Sequence, residues 1–252
     1  MTFRDKLEKR IQTVGSHLCV GLDIRAERAD EATKQMAIKV IEETAPFAAA
    51  FKPNAAYFEA LGWQGVRMLA QILKAVPRDI PVIYDAKRGD IGETQSYYAR
   101  AAFEEFGVDA ITLNPYMGAE TLEPFLKYKD KGIYLLGVTS NPGAADIELQ
   151  SLKDGRKVYQ IVAEMTKASD QVGLVVGLTN ASEDNLAGIP DVPLLMPGLG
   201  AQGGDLSVLK GAGRTAPIVV NVSRGILYDE PSIPYASKAK SWMEKLTAAF
   251  GG

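Results

Sequence analysis

The sequence predicts an α/β fold, a single closed (β/α)8 barrel (TIM barrel) with an extra helix at its N-terminus. The first observation is that eight short apolar runs recur along the chain, each ending in polar residues, Gly or Pro. Nearly continuous apolarity is typical of strands covered on both faces, as in parallel sheets. The second observation is that helical patterns alternate with these runs, and the third is the length of 252 residues, which is usual for one such barrel.

The predicted strands are residues 17–23, 47–54, 81–87, 110–116, 132–140, 172–180, 193–200 and 217–225. The predicted helices are residues 2–14, which precede the first strand, and 29–44, 55–76, 93–106, 118–128, 157–169, 182–187, 204–211 and 232–250. The rival architecture, a doubly wound open sheet, usually has fewer strands and a Gly-rich turn after the first. The first strand here ends in GLDIRAE, and no linker rich in Pro, Gly or Ser divides the chain. We therefore expect one domain, residues 1–252.

Composition excludes several classes of function. The 28 basic and 31 acidic residues give a net charge of −3 without a run of five like charges, which disfavours a nucleic-acid partner. The single Cys19 cannot form an internal disulfide, and the single His17 excludes multi-histidine metal sites. Apolar stretches such as 172–178 fall far short of the roughly 18 residues that span a bilayer, and the charged N-terminus does not resemble a secretory signal. We expect a cytoplasmic protein without a membrane partner, and the composition leaves open a small anionic ligand held by one or two local cations.

The segment DAKRGD, after the third predicted strand, is the most informative in the chain. Asp85 and Lys87 are two residues apart on a strand, so their side chains are expected on the same side. Lys52 ends the neighbouring strand at a similar height, and Asp90 follows beyond the strand end. One charge at a barrel rim usually forms a simple ion pair. Four converging charges favour a catalytic function, because each desolvated charge costs several kcal/mol unless it is well paired.

An alternating array of lysine and aspartate constrains the chemistry. Neighbouring carboxylates stabilise the ammonium form of lysine and raise its pKa, which makes it a proton donor and a poor Schiff-base nucleophile. Such an array suits a reaction in which negative charge develops on carbon and is then quenched by a proton.

Two further features predict a phosphate site. The loop after the seventh strand reads PGLGAQGG, with Gly198, Gly200 and Gly203 in G-x-G-x-x-G spacing, and it carries Gln202. Barrel enzymes often hold phosphate with the loops after strands 7 and 8. Arg224, at the end of the eighth strand, is placed to make a bidentate phosphate contact. As a dinucleotide fingerprint the same spacing is weak, because it lies near the C-terminus.

These motifs together resemble the orotidine 5'-monophosphate decarboxylase family, within the wider family that shares its barrel. DAKRGDIGET is especially similar to the bacterial branch, and the resemblance covers nearly the whole chain. FKPN, VTSNPGA, PGLGAQGG and NVSRGI occur in the expected order on the second, fifth, seventh and eighth strands.

The resemblance implies decarboxylation of orotidine 5'-monophosphate to UMP and carbon dioxide, the last step of de novo pyrimidine nucleotide synthesis, without a metal or organic cofactor. It implies that Lys87 protonates C6 of the pyrimidine, that Lys52 and Asp85 complete the charged network, and that Asp90 crosses a homodimer interface. The resemblance also implies that Ile91 and Thr94 contact the partner's substrate, and that Asp23 and Lys52 contact the ribose. It implies that Ser140, or alternatively Thr139, and Pro197 contact the pyrimidine. The phosphate is then contacted by Gln202, Arg224 and the backbone amide of Ser223.

One departure from the family pattern concerns the phosphate end. Some members have a tyrosine three residues after the strand-8 arginine, where this chain has Leu227, so Tyr228 is not assigned a phosphate contact. Three alternatives stay open. A metal-dependent sugar-phosphate lyase of the same barrel family would place an acidic ligand where this chain has Lys52. The others are a Schiff-base aldolase and a nucleotide-binding barrel without catalysis.

Overall fold

The computed structural model describes residues 1–199, 206–209 and 213–251. Within these ranges the strands are β1 (Leu18–Leu22), β2 (Ala50–Pro53), β3 (Ile83–Arg88), β4 (Ala110–Leu113), β5 (Gly132–Val138), β6 (Val172–Val176), β7 (Leu194–Met196) and β8 (Ile218–Val222). Each lies inside, or within one residue of, a predicted strand.

The eight strands form one parallel sheet that curls into a barrel. Hydrogen-bonded neighbours follow the order β2-β1-β8-β7-β6-β5-β4-β3. The remaining seam, between β2 and β3, is joined by bridges from Phe51 to Val82 and from Asn54 to Asp85, and the Phe51 N–H donates to Pro81 O at 2.9 Å. The predicted (β/α)8 barrel is confirmed.

The described helices are α1 (Phe3–Val14), α2 (Glu31–Thr44), α3 (Ala55–Glu59), α4 (Gly62–Leu73), α5 (Gly92–Arg100), α6 (Glu123–Leu126), α7 (Val158–Met165), α8 (Glu183–Ala187), α9 (Arg224–Leu227) and α10 (Tyr235–Phe250). The extra N-terminal helix is α1. Thr2 and Asp5 form a capping box at its start, and Gly15 ends it in the left-handed region at φ 60°. In the described ranges no helix is both long and apolar enough to cross a membrane.

Several predicted helices differ from the structure. Residues 55–76 do not form one continuous helix, because Gly62 at φ 67° interrupts the helical conformation between α3 and α4. The two pieces then fold against each other so closely that a Cβ on Gly65 would lie 2.1 Å from Phe58 O. Residues 118–128 form a 3-10 turn followed by the single turn of α6, because Pro124 lacks a backbone N–H and favours a helix start there. Of the predicted helix 204–211, the described part is a 3-10 turn at Leu206–Leu209.

The barrel core closes the N-terminal ends of the strands. Phe3 of α1 packs edge-on against Tyr134 of β5, with ring centroids 5.8 Å apart at 88°. Both side chains are buried with Leu7 and Cys19 in one apolar cluster. Burial raises the pKa of the Cys19 thiol to about 12, so this cysteine is a neutral packing residue. Polar side chains are therefore left to gather at the opposite, C-terminal ends of the strands.

Candidate active site

A cavity of about 610 Å³ opens at the C-terminal ends of the strands, where barrel enzymes carry their chemistry. Its lining draws on the strands from β2 to β8 and on the loops at the strand ends, including the loop after β1. The predicted site residues that line it are Asp23, Lys52, Asp85, Lys87, Thr139, Ser140, Pro197, Ser223 and Arg224. The structure thus brings together side chains from six strand ends that are distant in sequence.

The predicted charged array is centred on Asp85. Lys52 Nζ donates to Asp85 Oδ2 at 2.7 Å, and Lys87 Nζ donates to Asp85 Oδ1 at 2.6 Å. The Lys52 and Asp85 side chains are only 4% and 9% exposed, whereas the Lys87 side chain is 47% exposed. The buried pair therefore forms the floor of the array, and Lys87 is the more exposed of the two ammonium groups that line the cavity.

The pKa values of Asp85 and Lys52 are both shifted in the direction that favours the charged form. Burial acts to raise the pKa of Asp85, but the Lys52 and Lys87 ammonium groups outweigh it and hold that pKa well below its ordinary value. Burial likewise acts to lower the pKa of Lys52, and the carboxylates of Asp85 and Asp23 outweigh it and raise that pKa. Asp85 stays ionised and Lys52 stays protonated throughout the physiological pH range.

Lys87 is positioned by an irregularity in β3. Tyr84 pairs with Ile111 and Arg88 pairs with Leu113, so a step of four residues on β3 matches a step of two on β4. Lys87 lies inside this bulge at φ 47°, in the left-handed region that side chains other than glycine rarely adopt. The prediction that Lys87 and Asp85 share one side is confirmed by their contact, but a bulged strand, not regular alternation, brings them together. Such strain costs about 1–3 kcal/mol and concentrates at functional sites.

Thr112 of β4 holds the bulge and was missed by the sequence reasoning. Its hydroxyl accepts from the Lys87 N–H at 2.9 Å and donates to Asp85 Oδ1 at 3.0 Å. The residue is only 1% exposed. One hydroxyl thus fixes both the backbone of Lys87 and the carboxylate that pairs with it. A polar residue inside the otherwise apolar run AITL was the signal that could have found it.

The opposite wall combines Arg224 with groups suited to a sugar. Asp23 Oδ1, Asn221 Oδ1 and Ser223 Oγ are buried without a hydrogen-bond partner among the described residues. Gly21 makes room for the last two, because a Cβ there would lie 2.7 Å from Ser223 Cβ and 3.1 Å from Asn221 Oδ1. Buried polar atoms are costly when unpaired, so this wall is built to receive hydrogen bonds from a polar ligand.

Tyr228 ties the end of the β8 region to β1. Its hydroxyl donates to Asp23 O at 2.9 Å and accepts from the Arg25 N–H at 2.6 Å, and the Arg25 guanidinium lies 4.6 Å from the ring centroid. These bonds use the Tyr228 hydroxyl to join the two segments. Arg25 itself lines the cavity, as do Asn54 and Tyr57, and none of the three was singled out from the sequence.

The cavity of this chain does not include every predicted site residue. Asp90, Ile91 and Thr94 do not line it. Asp90 Oδ1 accepts from the Ile91 N–H at 2.8 Å, Ile91 is 61% exposed, and Thr94 is exposed on α5. Gln202 lies outside the described residues, as do Gly200 and Gly203 of the glycine-rich loop.

The donor set suits an organic anion better than a metal ion. Across residues 1–199, 206–209 and 213–251, no three His, Cys, Asp or Glu side chains are grouped so as to hold a metal ion. Instead, the carboxylates that face the cavity alternate with the ammonium groups of Lys52 and Lys87. A polarised wall of this kind stabilises negative charge in the ligand and supplies a proton.

Curated proteins with similar sequences share one description. A protein from Thermomicrobium roseum named orotidine 5'-phosphate decarboxylase is 43% identical over 258 aligned residues, covering 96% of this chain and 92% of the relative. A protein of the same name from Roseiflexus castenholzii is 40% identical and covers 99% of this chain and 97% of the relative.

Solved structures agree with the sequence relatives. The structure of Leishmania donovani OMP decarboxylase matches with a TM-score of 0.89 at 38% identity and covers 100% of both chains. That of Leishmania donovani UMP synthase matches with a TM-score of 0.91 at 40% identity and covers 99% of this chain. This chain spans only 57% of the length of that synthase.

The family itself is identified from most of the chain. A model described as the orotidine 5'-phosphate decarboxylase / HUMPS family matches residues 16–238, which run from the residues before β1 into α10. The match includes the charged array, the strand-5 segment and Arg224. The chain therefore belongs to the orotidine 5'-phosphate decarboxylase / HUMPS family.

Proposed function

We propose that this protein decarboxylates orotidine 5'-monophosphate to UMP and carbon dioxide in pyrimidine nucleotide synthesis, and that it does so as a cytoplasmic, single-domain barrel of residues 1–252. The observation that carries the proposal is the Lys52–Asp85–Lys87 array, joined by contacts of 2.7 and 2.6 Å inside a cavity whose other wall holds Arg224. Relatives named orotidine 5'-phosphate decarboxylase at about 40% identity support the same reaction.

The reaction needs electrostatic help that this array is built to supply. The bond between C6 and the carboxylate carbon breaks, carbon dioxide leaves, and the bonding electron pair stays on C6. Lys87 stabilises that developing negative charge as an ammonium group and then donates a proton from Nζ to C6. Its half-exposed side chain is then reprotonated from solvent. Asp85 keeps the lysine oriented through the 2.6 Å contact, and the buried Lys52 balances the Asp85 charge.

The rest of the nucleotide fits the remaining walls. Asp23 and Lys52 contact the ribose hydroxyls, and the unpaired Asp23 Oδ1 supports that assignment. Arg224, the backbone N–H of Ser223 and Gln202 hold the phosphate. Binding energy from this distant phosphate offsets the cost of closing and desolvating the site.

The pyrimidine lies between the ends of β5 and β7 in this proposal. Ser140 reads its polar edge, with Thr139 as the alternative, and Pro197 borders the ring. Both walls line the same cavity. They are tied through the loop after β6, because Thr179 Oγ1 donates to Ser140 O at 2.6 Å and the Leu178 N–H donates to Pro197 O at 2.9 Å.

The complete site is proposed to form in a homodimer. Asp90, Ile91 and Thr94 do not line the cavity of their own chain, and the large apolar side chain of Ile91 is 61% exposed. Burying Ile91 against a second copy removes apolar surface from water and delivers Asp90 to the partner's substrate. A two-fold axis makes the two contributions reciprocal.

The reaction is tested by measuring UMP formation from orotidine 5'-monophosphate with excess EDTA. We expect turnover in wild type, almost none in Lys87→Ala, and wild-type turnover in Lys129→Ala, whose lysine is exposed on the surface. A folded wild type without turnover would refute the proposal. Activity lost to EDTA would indicate a metal-dependent sugar-phosphate lyase. Borohydride trapping of substrate would indicate a Schiff-base aldolase. Tight UMP binding without turnover would indicate a binding protein.

The shared site has a separate test. Inactive Lys87→Ala and Asp90→Ala proteins are mixed under conditions that exchange subunits. In a mixed dimer one site has an intact Lys87 and receives an intact Asp90, so random pairing should restore about a quarter of wild-type activity. If subunits exchange and no activity returns, Asp90 does not act across an interface.

A further inference from the structure

The end of β5 is held by side chains that the proposed chemistry does not use. Residues 139–141 carry Ser140 into the cavity, and three neighbouring residues bond to their backbone. Asn180 Nδ2 donates to Thr139 O at 2.6 Å and to Asn141 O at 3.3 Å, and Thr179 Oγ1 donates to Ser140 O at 2.6 Å. The third residue is Glu148.

Glu148 binds Thr139 through both of its carboxylate oxygens. The Thr139 N–H donates to Oε2 at 2.7 Å, and Thr139 Oγ1 lies 2.9 Å from Oε1 and 3.1 Å from Oε2. A carboxylate only accepts hydrogen bonds, so it is matched to the backbone N–H, while the single proton of the Thr139 hydroxyl is shared between the carboxylate and Asn141 Oδ1, 2.7 Å away. Charge-assisted hydrogen bonds are about twice as strong as neutral ones, and this pair fixes Thr139 both in position and in rotation.

Glu148 is itself firmly anchored. The Tyr159 N–H in α7 donates to Glu148 O at 2.9 Å, and the Leu149 N–H donates to Ala144 O at 3.1 Å. The loop after β5 therefore folds back, nine residues later, and connects the start of α7 to the strand end. Because the backbone of Glu148 is held in place, its side chain can fix the position of Thr139.

On its opposite side, the segment 139–141 packs closely against the end of β6. A Cβ on Gly177 would lie 2.5 Å from both Ser140 N and Ser140 Cα, so β6 and its loop press directly on the segment. The Gly177 N–H also donates to Val138 O at 2.6 Å. Ser140 is thus confined between Gly177 on one side and the bonds of Glu148 and Asn180 to Thr139 on the other. The direction of its side chain is set by its neighbours.

We propose that Glu148 is a positioning residue, which fixes Thr139 so that Ser140 presents its hydroxyl to the pyrimidine of the nucleotide. This inference rests on the proposed function, because it takes Ser140 as the residue that reads the base. It predicts that Glu148 affects recognition of the base and leaves recognition of the phosphate and ribose unchanged, since Asp23 and Arg224 follow the ends of other strands, β1 and β8.

Three variants test the inference. Glu148→Ala removes both acceptors. Glu148→Gln restores the link, since its amide oxygen accepts from the Thr139 N–H while its NH2 group donates to the threonine hydroxyl. Asp146→Asn is the matched control, because it makes the same carboxylate-to-amide change on an exposed residue of the same loop.

The readouts are kcat/KM for orotidine 5'-monophosphate and the dissociation constants of UMP and ribose 5-phosphate, measured by calorimetry on the full-length protein. Glu148→Ala should weaken UMP binding and lower kcat/KM, each by about 10- to 100-fold, which is the usual range when a group that aligns a substrate is lost. Its ribose 5-phosphate affinity should stay within about twofold of wild type. Glu148→Gln should recover most of the loss, and Asp146→Asn should match wild type.

A second background separates positioning from a general structural effect. In a Ser140→Ala protein, the Glu148→Ala change should have little further effect on UMP affinity, because residues that act as one unit are not additive. Equal weakening of UMP and ribose 5-phosphate, or full additivity with Ser140→Ala, would overturn the inference. Absence of turnover in wild type would instead overturn the proposed function, and the two binding constants would still decide the role of Glu148.

Discussion

Replacing Asp85 by Asn should destabilise the protein by about 3–5 kcal/mol, because it breaks a buried ion pair and leaves a buried charge. Lys52 Nζ lies 2.7 Å from Asp85 Oδ2, and the two side chains are 4% and 9% exposed. At an effective dielectric constant of about 20, unit charges at that distance attract by about 6 kcal/mol. This attraction offsets a desolvation cost of several kcal/mol for the buried ammonium. Asparagine keeps the size of the side chain, so the change isolates the charge.

Urea unfolding followed by far-UV circular dichroism, at one fixed protein concentration, measures the effect. Lys52→Met should cost less than Asp85→Asn, since Asp85 keeps its bonds to Lys87 and Thr112. The control is Glu244→Gln, which breaks an exposed pair 4.0 Å from Lys240 and should change the free energy of unfolding by less than about 0.5 kcal/mol. An Asp85→Asn effect no larger than this control would refute the electrostatic reasoning.

The pH dependence gives a second measure of the same pair. Because the folded-state pKa of Asp85 is held below its ordinary value of 3.8, its contribution is complete above that value and is lost as the pH falls through the lower folded-state pKa. Wild type and Asp85→Asn should therefore converge in strong acid. In the variant, the pKa of Lys52 should fall from its raised wild-type value, because the Asp85 carboxylate is lost while burial and the Asp23 carboxylate remain.

Three other perturbations have defined outcomes. Thr112→Val should lower kcat about 10- to 100-fold with unchanged circular dichroism, because it frees the backbone of Lys87, and an unchanged kcat would remove Thr112 from the positioning of that lysine. Burial lowers the pKa of His17, whose Nδ1 bonds to a backbone carbonyl at 2.7 Å, so unfolding titrations should show stability falling as the pH drops below the ordinary value of 6.5. His17→Phe should flatten that fall, and an equally steep fall would assign it to another group. Tyr228→Phe should raise KM about fivefold, the equivalent of about 1 kcal/mol, because the bond to Asp23 O is lost. An unchanged KM would mean that this bond does not align Asp23 for the proposed contact with the ribose.

The strands of this barrel could be predicted from the sequence because parallel strands are buried on both faces. Runs such as 172–178 must then be apolar throughout, and the first polar residue after each run marks a strand end. In a barrel those ends meet at one rim, so the sequence alone predicts Asp85, Lys87 and Lys52 in one place. The helices were less well predicted, because the split between α3 and α4 depends on Gly62 and on a close approach at Gly65 that no periodicity records.

The sequence by itself determined the barrel, the order of its strands and the charged residues at its mouth, since each of these follows from local pattern and chain connectivity. Only the tertiary structure decided how the side chains meet. Thr112 joins Asp85 from 27 residues away, and Tyr228 reaches Asp23 across 205 residues. Closure of the barrel and the bulge in β3 create these contacts, because a hydrogen bond between distant residues depends on distances and angles that the whole fold sets.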